Sequence, residues 1–361
     1  MCGTVRMFDP VCDYVCWSND RVFVNKQDRT MDSYATTWAI VLAGGQGTRL
    51  GALTRATNGI SVPKQFCSLR GGACLLEEAL GRAATVAPTR RICAVVAAQH
   101  RRWWQAPLKH LPKHNIVVQP ENRGTAFGIL LPLLRVLARD PNANLVVLPA
   151  DHHFLDEATM ACSLRQAADL AAADADAIYL LGAEPDEPDP ELGYIVPADR
   201  SSVTPSRVTQ FIEKPDAQTA RSLLNQGALW NMFILAASGR ALLKVFQKSL
   251  ASHVRAMGAA LVTNGSEGRD SLALSALYHG LPTLDFSLNV LERHDSVLRV
   301  VAVPPCGWSD LGTPERVAEA LRRLPSEWSE QSSPGELAAY MNLAAQNSRL
   351  RETPKTSFVS S

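Results

Sequence analysis

The stretch Trp38-Ala39-Ile40-Val41-Leu42-Ala43-Gly44-Gly45-Gln46-Gly47-Thr48-Arg49-Leu50 decides how this chain is read. Six apolar residues with strand character, 38–43, run straight into three glycines within four positions. Glycines at the end of a strand let backbone N–H groups close around an anion. Thr48 then offers a hydroxyl, and Arg49 a planar guanidinium fork suited to phosphate oxygens. Two commoner glycine motifs fail here. The dinucleotide pattern G-x-G-x-x-G, started at Gly45, meets Leu50 at its sixth position, and the Walker pattern needs a Gly-Lys pair that the sequence lacks.

Outward from this stretch, short apolar runs at 92–97, 115–119, 145–149 and 177–182 alternate with Ala/Leu-rich helical patterns at 75–86, 125–139 and 159–173. That rhythm predicts βαβ units and a largely parallel sheet. It breaks after residue 182, where the segment 184–190 carries three prolines and four acids and reads as a loop. Strand patterns at 193–197, 207–213 and 229–236 follow, with a helical one at 216–225 and a last strand–helix pair at 298–303 and 314–324. The expected organisation is a poorly ordered extension (1–37), one domain (38–325) and a loosely attached tail (326–361). The domain divides at 182/183 into a first half (38–182) and a second half (183–325).

Composition bounds the partners. The 361 residues are 46% hydrophobic, with 36 Lys and Arg against 35 Asp and Glu. A formal charge of +1 gives no global field to gather nucleic acid, so an anionic ligand must be met locally. No apolar run is long enough to cross a bilayer, and the acid-dotted N-terminus lacks the core of a secretory signal. A cytoplasmic protein is expected. Eight scattered cysteines without a Cys-x-x-Cys pair suggest buried, reduced thiols and no disulfide framework.

Five further segments carry polar residues at places where chemistry is done. Pro63-Lys64-Gln65-Phe66 supplies a second cation near the glycine loop. Gln119-Pro120-Glu121-Asn122-Arg123-Gly124-Thr125 ends a strand and opens a helix. Its Gln119 and Asn122 amides suit the edge of a nucleobase, and Gly124 permits a flat ring to approach; capping chemistry explains Asn122 and Thr125 equally well. Asp151 follows the strand 145–149, where open α/β sheets place their ligand crevices. Asp310 lies between turn residues after the last strand, and two carboxylates meeting beside phosphates would make a Mg²⁺ site. Phe211-Ile212-Glu213-Lys214-Pro215 ends a strand with an acid–base pair, either a solvated strand end or contacts for sugar hydroxyls and a monophosphate. An Asp-His-His reading of Asp151-His152-His153 as a metal phosphoesterase lacks further ligands on earlier strands.

In this order the motifs resemble the nucleoside-diphosphate-sugar pyrophosphorylases, and within them the mannose-1-phosphate guanylyltransferases. The likeness covers 38–324 and includes Pro149-Ala150-Asp151-His152 and Trp308-Ser309-Asp310-Leu311-Gly312. It implies a Rossmann-like three-layer α/β fold with a mixed, mostly parallel central sheet flanked by helices. It also implies an enzyme that joins GTP and mannose-1-phosphate into GDP-mannose and pyrophosphate with Mg²⁺. By this resemblance Leu42, Ala43, Gly44, Gly45, Gly47, Thr48 and Arg49 would wrap the nucleotide, with Lys64 on the triphosphate. Gln119, Asn122 and Gly124 would face the base, and Thr125 would also contact the nucleotide. Arg49, Lys64, Asp151 and Asp310 would be catalytic, the two aspartates holding Mg²⁺. Gly193, Glu213, Lys214 and Asn231 would face the sugar phosphate. A homodimer is an open option, as are another nucleotide or sugar and a relative that binds without turnover. Departures from the family pattern fall after Leu50 and on the sugar side. There Glu191-Leu192-Gly193-Tyr194-Ile195 replaces Gly-Tyr-Gly-Tyr-Ile, and Trp230-Asn231-Met232-Phe233 is shortened from Trp-Asn-Ser-Gly-Met-Phe.

Overall fold

The computed structural model describes residues 15–18, 21–24, 36–47, 50, 53–54, 61–69, 72–199, 205–262 and 272–324. Its strands are β1 (Val15–Ser18), β2 (Arg21–Val24), β3 (Thr37–Ala43), β4 (Ile92–Ala97), β5 (Ile116–Gln119), β6 (Asn144–Pro149), β7 (Ile178–Ala183), β8 (Tyr194–Pro197), β9 (Ser206–Ile212), β10 (Leu229–Ser238) and β11 (Leu298–Val303). The helices are α1 (Leu75–Ala84), α2 (Arg101–Trp104), α3 (Thr125–Arg139), α4 (Glu157–Ala173), α5 (Ala217–Asn225), α6 (Gly239–Val262), α7 (Leu272–Gly280), α8 (Phe286–Asn289) and α9 (Pro314–Arg322). Strands β1 and β2 pair antiparallel with each other. The other nine form one sheet in the order β5-β4-β3-β6-β10-β7-β11-β9-β8.

Period-two alternation in β3 creates the three layers. Ala39, Val41 and Ala43 pack to one face with Leu75 and Ala79 of α1, Met160 and Leu164 of α4, and Val317 of α9. Trp38 and Ile40 pack to the other with Phe127 and Leu130 of α3, Phe246 of α6, Tyr278 of α7 and Phe286 of α8. Successive side chains of a strand point to opposite faces, so a run apolar at every position must be covered twice. A smaller cluster of Tyr194, Val196, Ala220, Leu223 and Ala228 holds α5 to the far edge of the sheet.

The first four strands, β5-β4-β3-β6, are all parallel. The chain leaves β3 to one side for β4 and β5, then returns to the other side for β6. A crevice opens where strand order reverses in this way, at the carboxyl ends of β3 and β6. Beyond β6 the direction changes, with β10 antiparallel to both β6 and β7, while β11 is again parallel to β7. The reversal lets β10 return its Trp230 and Asn231 toward the same crevice.

Local chemistry sets the helix starts. Helix α4 begins two residues before its apolar pattern because Asp156 accepts from the backbone of Ala158 and Thr159, each at 3.0 Å. Thr313 caps α9, accepting from Arg316 N at 3.3 Å, with Pro314 at the first helical position. Cys67, Cys74, Cys93 and Cys306 are buried free thiols. Cys162 departs from that expectation and is disulfide-bonded.

Candidate active site

The turn after β3 is held from below. Lys64, Gln65 and Phe66 form a buried single turn of 3₁₀ helix. Gln65 Nε2 donates to the carbonyls of Ala43 and Gly45, each at 2.8 Å. Gly47 has φ +62°, and a Cβ there would lie 2.9 Å from the backbone nitrogen of Lys64. The two sequence segments are therefore one structural unit, in which an amide replaces the ladder that ended at Ala43. Thr48 and Arg49 lie outside the described residues.

Asp151 and Asp310 reach the same place from segments 159 positions apart. His153 N donates to Ser309 O, and Ser309 N to His153 O, both at 2.9 Å, forming a two-residue antiparallel bridge. Lys64 ties the pair together: its Nζ lies 3.0 Å from Asp151 Oδ2 and donates to the carbonyls of Asp310 (2.6 Å) and Leu311 (3.3 Å). All three ammonium protons are thereby engaged. Burial is the largest single influence and works to raise the Asp151 carboxyl. Lys64, His152 and the hydrogen bonds that carboxyl accepts together hold it below its usual range. Asp310 is likewise lowered against its burial, by His152, Arg316 and Lys64.

His152 completes the wall. Its Nδ1 accepts from Trp308 Nε1 at 3.2 Å, so the neutral ring carries its proton on Nε2, 4.0 Å from Asp151 Oδ1. Burial brings its pKa down to about 4, against the pull of the Asp151 carboxylate. His152 is thus neutral at physiological pH and serves as a dipole beside the aspartate. His153 lines a different hollow, so the three residues Asp151, His152 and His153 do not converge as one ligand set.

A cavity of about 370 Å³ joins these groups with the other predicted residues. Leu42, Gly44, Gly45, Gln119, Asn122, Gly124, Thr125, Asp151, Gly193, Glu213, Lys214, Asn231 and Asp310 all line it. Ala43, Gly47 and Lys64 are not among its lining residues and lie beside or beneath it. Asn122 serves turn chemistry: its Oδ1 accepts from Gly124 N (3.0 Å) and its Nδ2 donates to Gly44 O (3.3 Å), while α3 starts at Gly124 without a side-chain cap. Gly124, with φ +86°, is fixed by protein packing, since a Cβ would sit 2.2 Å from Leu284 O. Thr125 Oγ1 donates to Asp285 Oδ2 (3.2 Å) and accepts from Phe286 N (2.7 Å). Gln119 keeps an amide facing the cavity while its Nε2 donates to Tyr278 OH at 3.2 Å.

On the opposite wall, Gly193 leaves room for Glu213, whose Oε2 a Cβ at 193 would meet at 2.5 Å. Gly193 O accepts from Asn231 N at 2.8 Å. Burial, with the carboxylates of Asp285 and Glu292 adding to it, pushes Glu213 up to about 7 against the pull of Lys214. Among the described residues, the non-glycines with positive φ are Lys214, Phe233 and Leu311. Lys214 and Phe233 line the cavity, and Leu311 carries a carbonyl that holds Lys64. Strained backbone is thus concentrated around this crevice. Sequence reading missed Gln65, Tyr278 and Asp285; Gln65 stood inside a quoted motif, while the other two gave no local signal.

The cavity pairs carboxylates and a lysine with a glycine turn at a sheet's switch point, an arrangement suited to polyphosphate chemistry. The sequence profile of the nucleotidyl transferase family matches residues 38–327, and the chain belongs to that family. Xanthan biosynthesis protein XanB of Xanthomonas campestris pv. campestris (strain B100) is 33% identical over 284 residues, covering 76% of this chain and 57% of that protein. Mannose-1-phosphate guanylyltransferase of Escherichia coli (strain K12) is 31% identical over 290 residues, 76% and 58% of the two. The crystal structure of mannose-1-phosphate geranyltransferase from Thermus thermophilus superposes with a TM-score of 0.66 at 27% identity, covering 80% of each chain. The chain spans a little over half the length of the curated relatives it matches. No described helix is long and apolar enough to cross a membrane.

Proposed function

We propose that this chain transfers GMP from GTP to mannose-1-phosphate, giving GDP-mannose and pyrophosphate. The observation that carries the reading is the convergence of Asp151 and Asp310 on one cavity, bridged by Lys64, beside the glycine turn. An oxygen of the sugar phosphate would attack the α-phosphorus of GTP. The bond to the β-phosphate oxygen breaks as the new P–O bond forms, and pyrophosphate leaves with the electron pair. The attacking phosphate is already ionised, so no protein nucleophile is required. Catalysis then reduces to holding two anions in line and neutralising their repulsion.

Mg²⁺ is the proposed cofactor. Among the described residues Asp151 and Asp310 belong to no cluster of three or more candidate ligands. Two carboxylates suit a hard cation that takes its other oxygens from phosphates and water. Asp151 and Asp310 would hold the ion, which when bound supplies countercharge to the triphosphate. Lys64 adds a fixed positive charge beneath the same point, and Arg49 is proposed for the triphosphate. Gln119, aimed from β5, would read the base, and Glu213, Lys214 and Asn231 would receive the sugar phosphate. The test is pyrophosphate release with Mg²⁺ over a panel of nucleoside triphosphates and hexose-1-phosphates. GTP with mannose-1-phosphate should lead the panel; release with none of the pairs would overturn the reading, and a different leading pair would reassign base or sugar.

Glu213 gives this reading a pH signature. A carboxylate accepts from sugar hydroxyls more strongly than a neutral acid does, so kcat/KM for mannose-1-phosphate should rise as pH climbs through about 7. Comparison with Glu213→Gln separates this from ionisation of the substrate, because the variant should lack the Glu213 inflection. The stability effect runs the other way. A carboxyl raised in the folded state stabilises fully below its unfolded value, and that contribution is lost as pH rises toward 7. Urea midpoints between pH 4.5 and 7.5 should therefore fall more steeply for the native chain than for Glu213→Gln.

A further inference from the structure

We propose that Arg316 is a positioning residue that orients Asp310 and locks the sugar-side turn to it. This inference rests on the transferase reading and assigns it a residue no motif singles out. Arg316 sits in the first turn of α9, its backbone capped by Thr313. Its Nη1 donates to Asp310 Oδ1 at 2.6 Å, and its Nη2 forms a close ion pair with Asp189 Oδ2. Asp310 Oδ1 also accepts from Gly312 N at 3.0 Å. One carboxylate oxygen is thus fixed by two donors. Gly312 makes this possible, since a Cβ there would lie 2.4 Å from Asp310 Oδ2 and 2.9 Å from Arg316 Nη1.

The other arm of the guanidinium reaches the turn that shapes the sugar end. Asp189 Oδ1 accepts from Glu191 N at 2.8 Å, and Asp189 N donates to the hydroxyl of fully buried Tyr194 at 2.8 Å. Between them stand Glu191, Leu192 and Gly193, which line the cavity. Arg316 and Asp189 themselves line a neighbouring hollow of about 500 Å³, so the pair stands behind the wall formed by Leu192, Trp308 and Asp310, which face both spaces. A planar fork holding two carboxylates at once fixes both in direction, which a lysine cannot do. The bridge therefore couples the geometry at Asp310 to the position of Gly193 and its neighbour Glu213.

Two variants and one cycle test the coupling. Asp189→Asn cuts only the sugar-side arm; it should raise KM for mannose-1-phosphate about tenfold while KM for GTP stays within about twofold. Arg316→Met should show the same rise in sugar-phosphate KM and also lower kcat, because Asp310 loses its fixed orientation. In the double variant the sugar-phosphate KM should be no worse than in Arg316→Met alone, and Arg316→Lys should fail to restore it. Multiplicative effects, equal rises in both KM values, or rescue by lysine would each overturn the bridge. Hydrogen exchange over 189–194 reads the bridge without substrate, and Arg316→Met and Asp189→Asn should speed it by about the same factor, roughly tenfold. Native-like protection in Arg316→Met would overturn the proposal. Faster exchange in both variants of a chain that turns over no sugar phosphate would uphold the bridge and place the error in the transferase reading.

Discussion

Asp151→Asn should lower kcat for pyrophosphate release by about a hundredfold or more at saturating Mg²⁺, with the fold unchanged. Asparagine keeps the shape of the side chain and can still accept from Lys64, whose Nζ lies 3.0 Å from Asp151 Oδ2. What it loses is a full negative charge at the point where Lys64, Asp310 and His152 converge. Lys64, His152 and hydrogen bonds together hold the carboxyl below its usual range against burial, so the native charge persists across the physiological range. Restoring turnover to a third of the native rate with added Mg²⁺ would limit Asp151 to cation affinity. Native turnover without added metal dependence would remove it from the reaction centre.

The second large effect is on stability. Gly124→Ala should destabilise the protein by about 3 kcal/mol or more, and lower its Tm by roughly 10 °C. The site combines φ +86° with a Cβ position 2.2 Å from Leu284 O, 2.8 Å from its carbonyl carbon and 3.0 Å from its nitrogen. Those are backbone atoms, pinned by hydrogen bonds from Ala126 N to Leu284 O and from Leu284 N to Arg123 O, both 3.1 Å. No side chain can swing away to make room. Because Leu284 and Asp285 line the cavity, residual activity should show a raised KM for the nucleotide as well. A thermal melt within about 2 °C of the native chain would mean that the 284 segment yields easily.

Much of the site was legible because its residues cluster at strand ends. The apolar run 38–43, the glycines after it and the helix 125–139 announce themselves through local periodicity and turn chemistry, and the structure follows them closely. Gln119, Asp151 and Glu213 each stand where an apolar run meets a turn. The parallel strands β5 and β6 direct Gln119 and Asp151 to one edge, whereas Glu213 arrives on β9, antiparallel to both its neighbours. Asn122 shows the limit of that reading. Its amide suits a nucleobase by type, yet both of its polar ends close on Gly124 and Gly44. Gly124 likewise reads as room for a ligand, and the room is taken by Leu284. Residue type and spacing report what a group is able to do, and long-range packing decides which partner it meets.

The amino-acid sequence alone determined the layers of this protein, because burial on two faces of a sheet is written in the alternation of its apolar runs. It also determined where backbone must bend and which side chains can carry charge. Only the tertiary structure decided that Asp151 and Asp310 share a cavity, that Lys64 spends its protons joining their segments, and that Arg316 binds Asp310 to Asp189. These contacts join residues far apart in the chain through strand reversal at β10 and a two-residue bridge at His153 and Ser309. Apart from Arg316 and Asp310, six residues apart, such pairings depend on how whole elements stack, and no short window of sequence contains both partners.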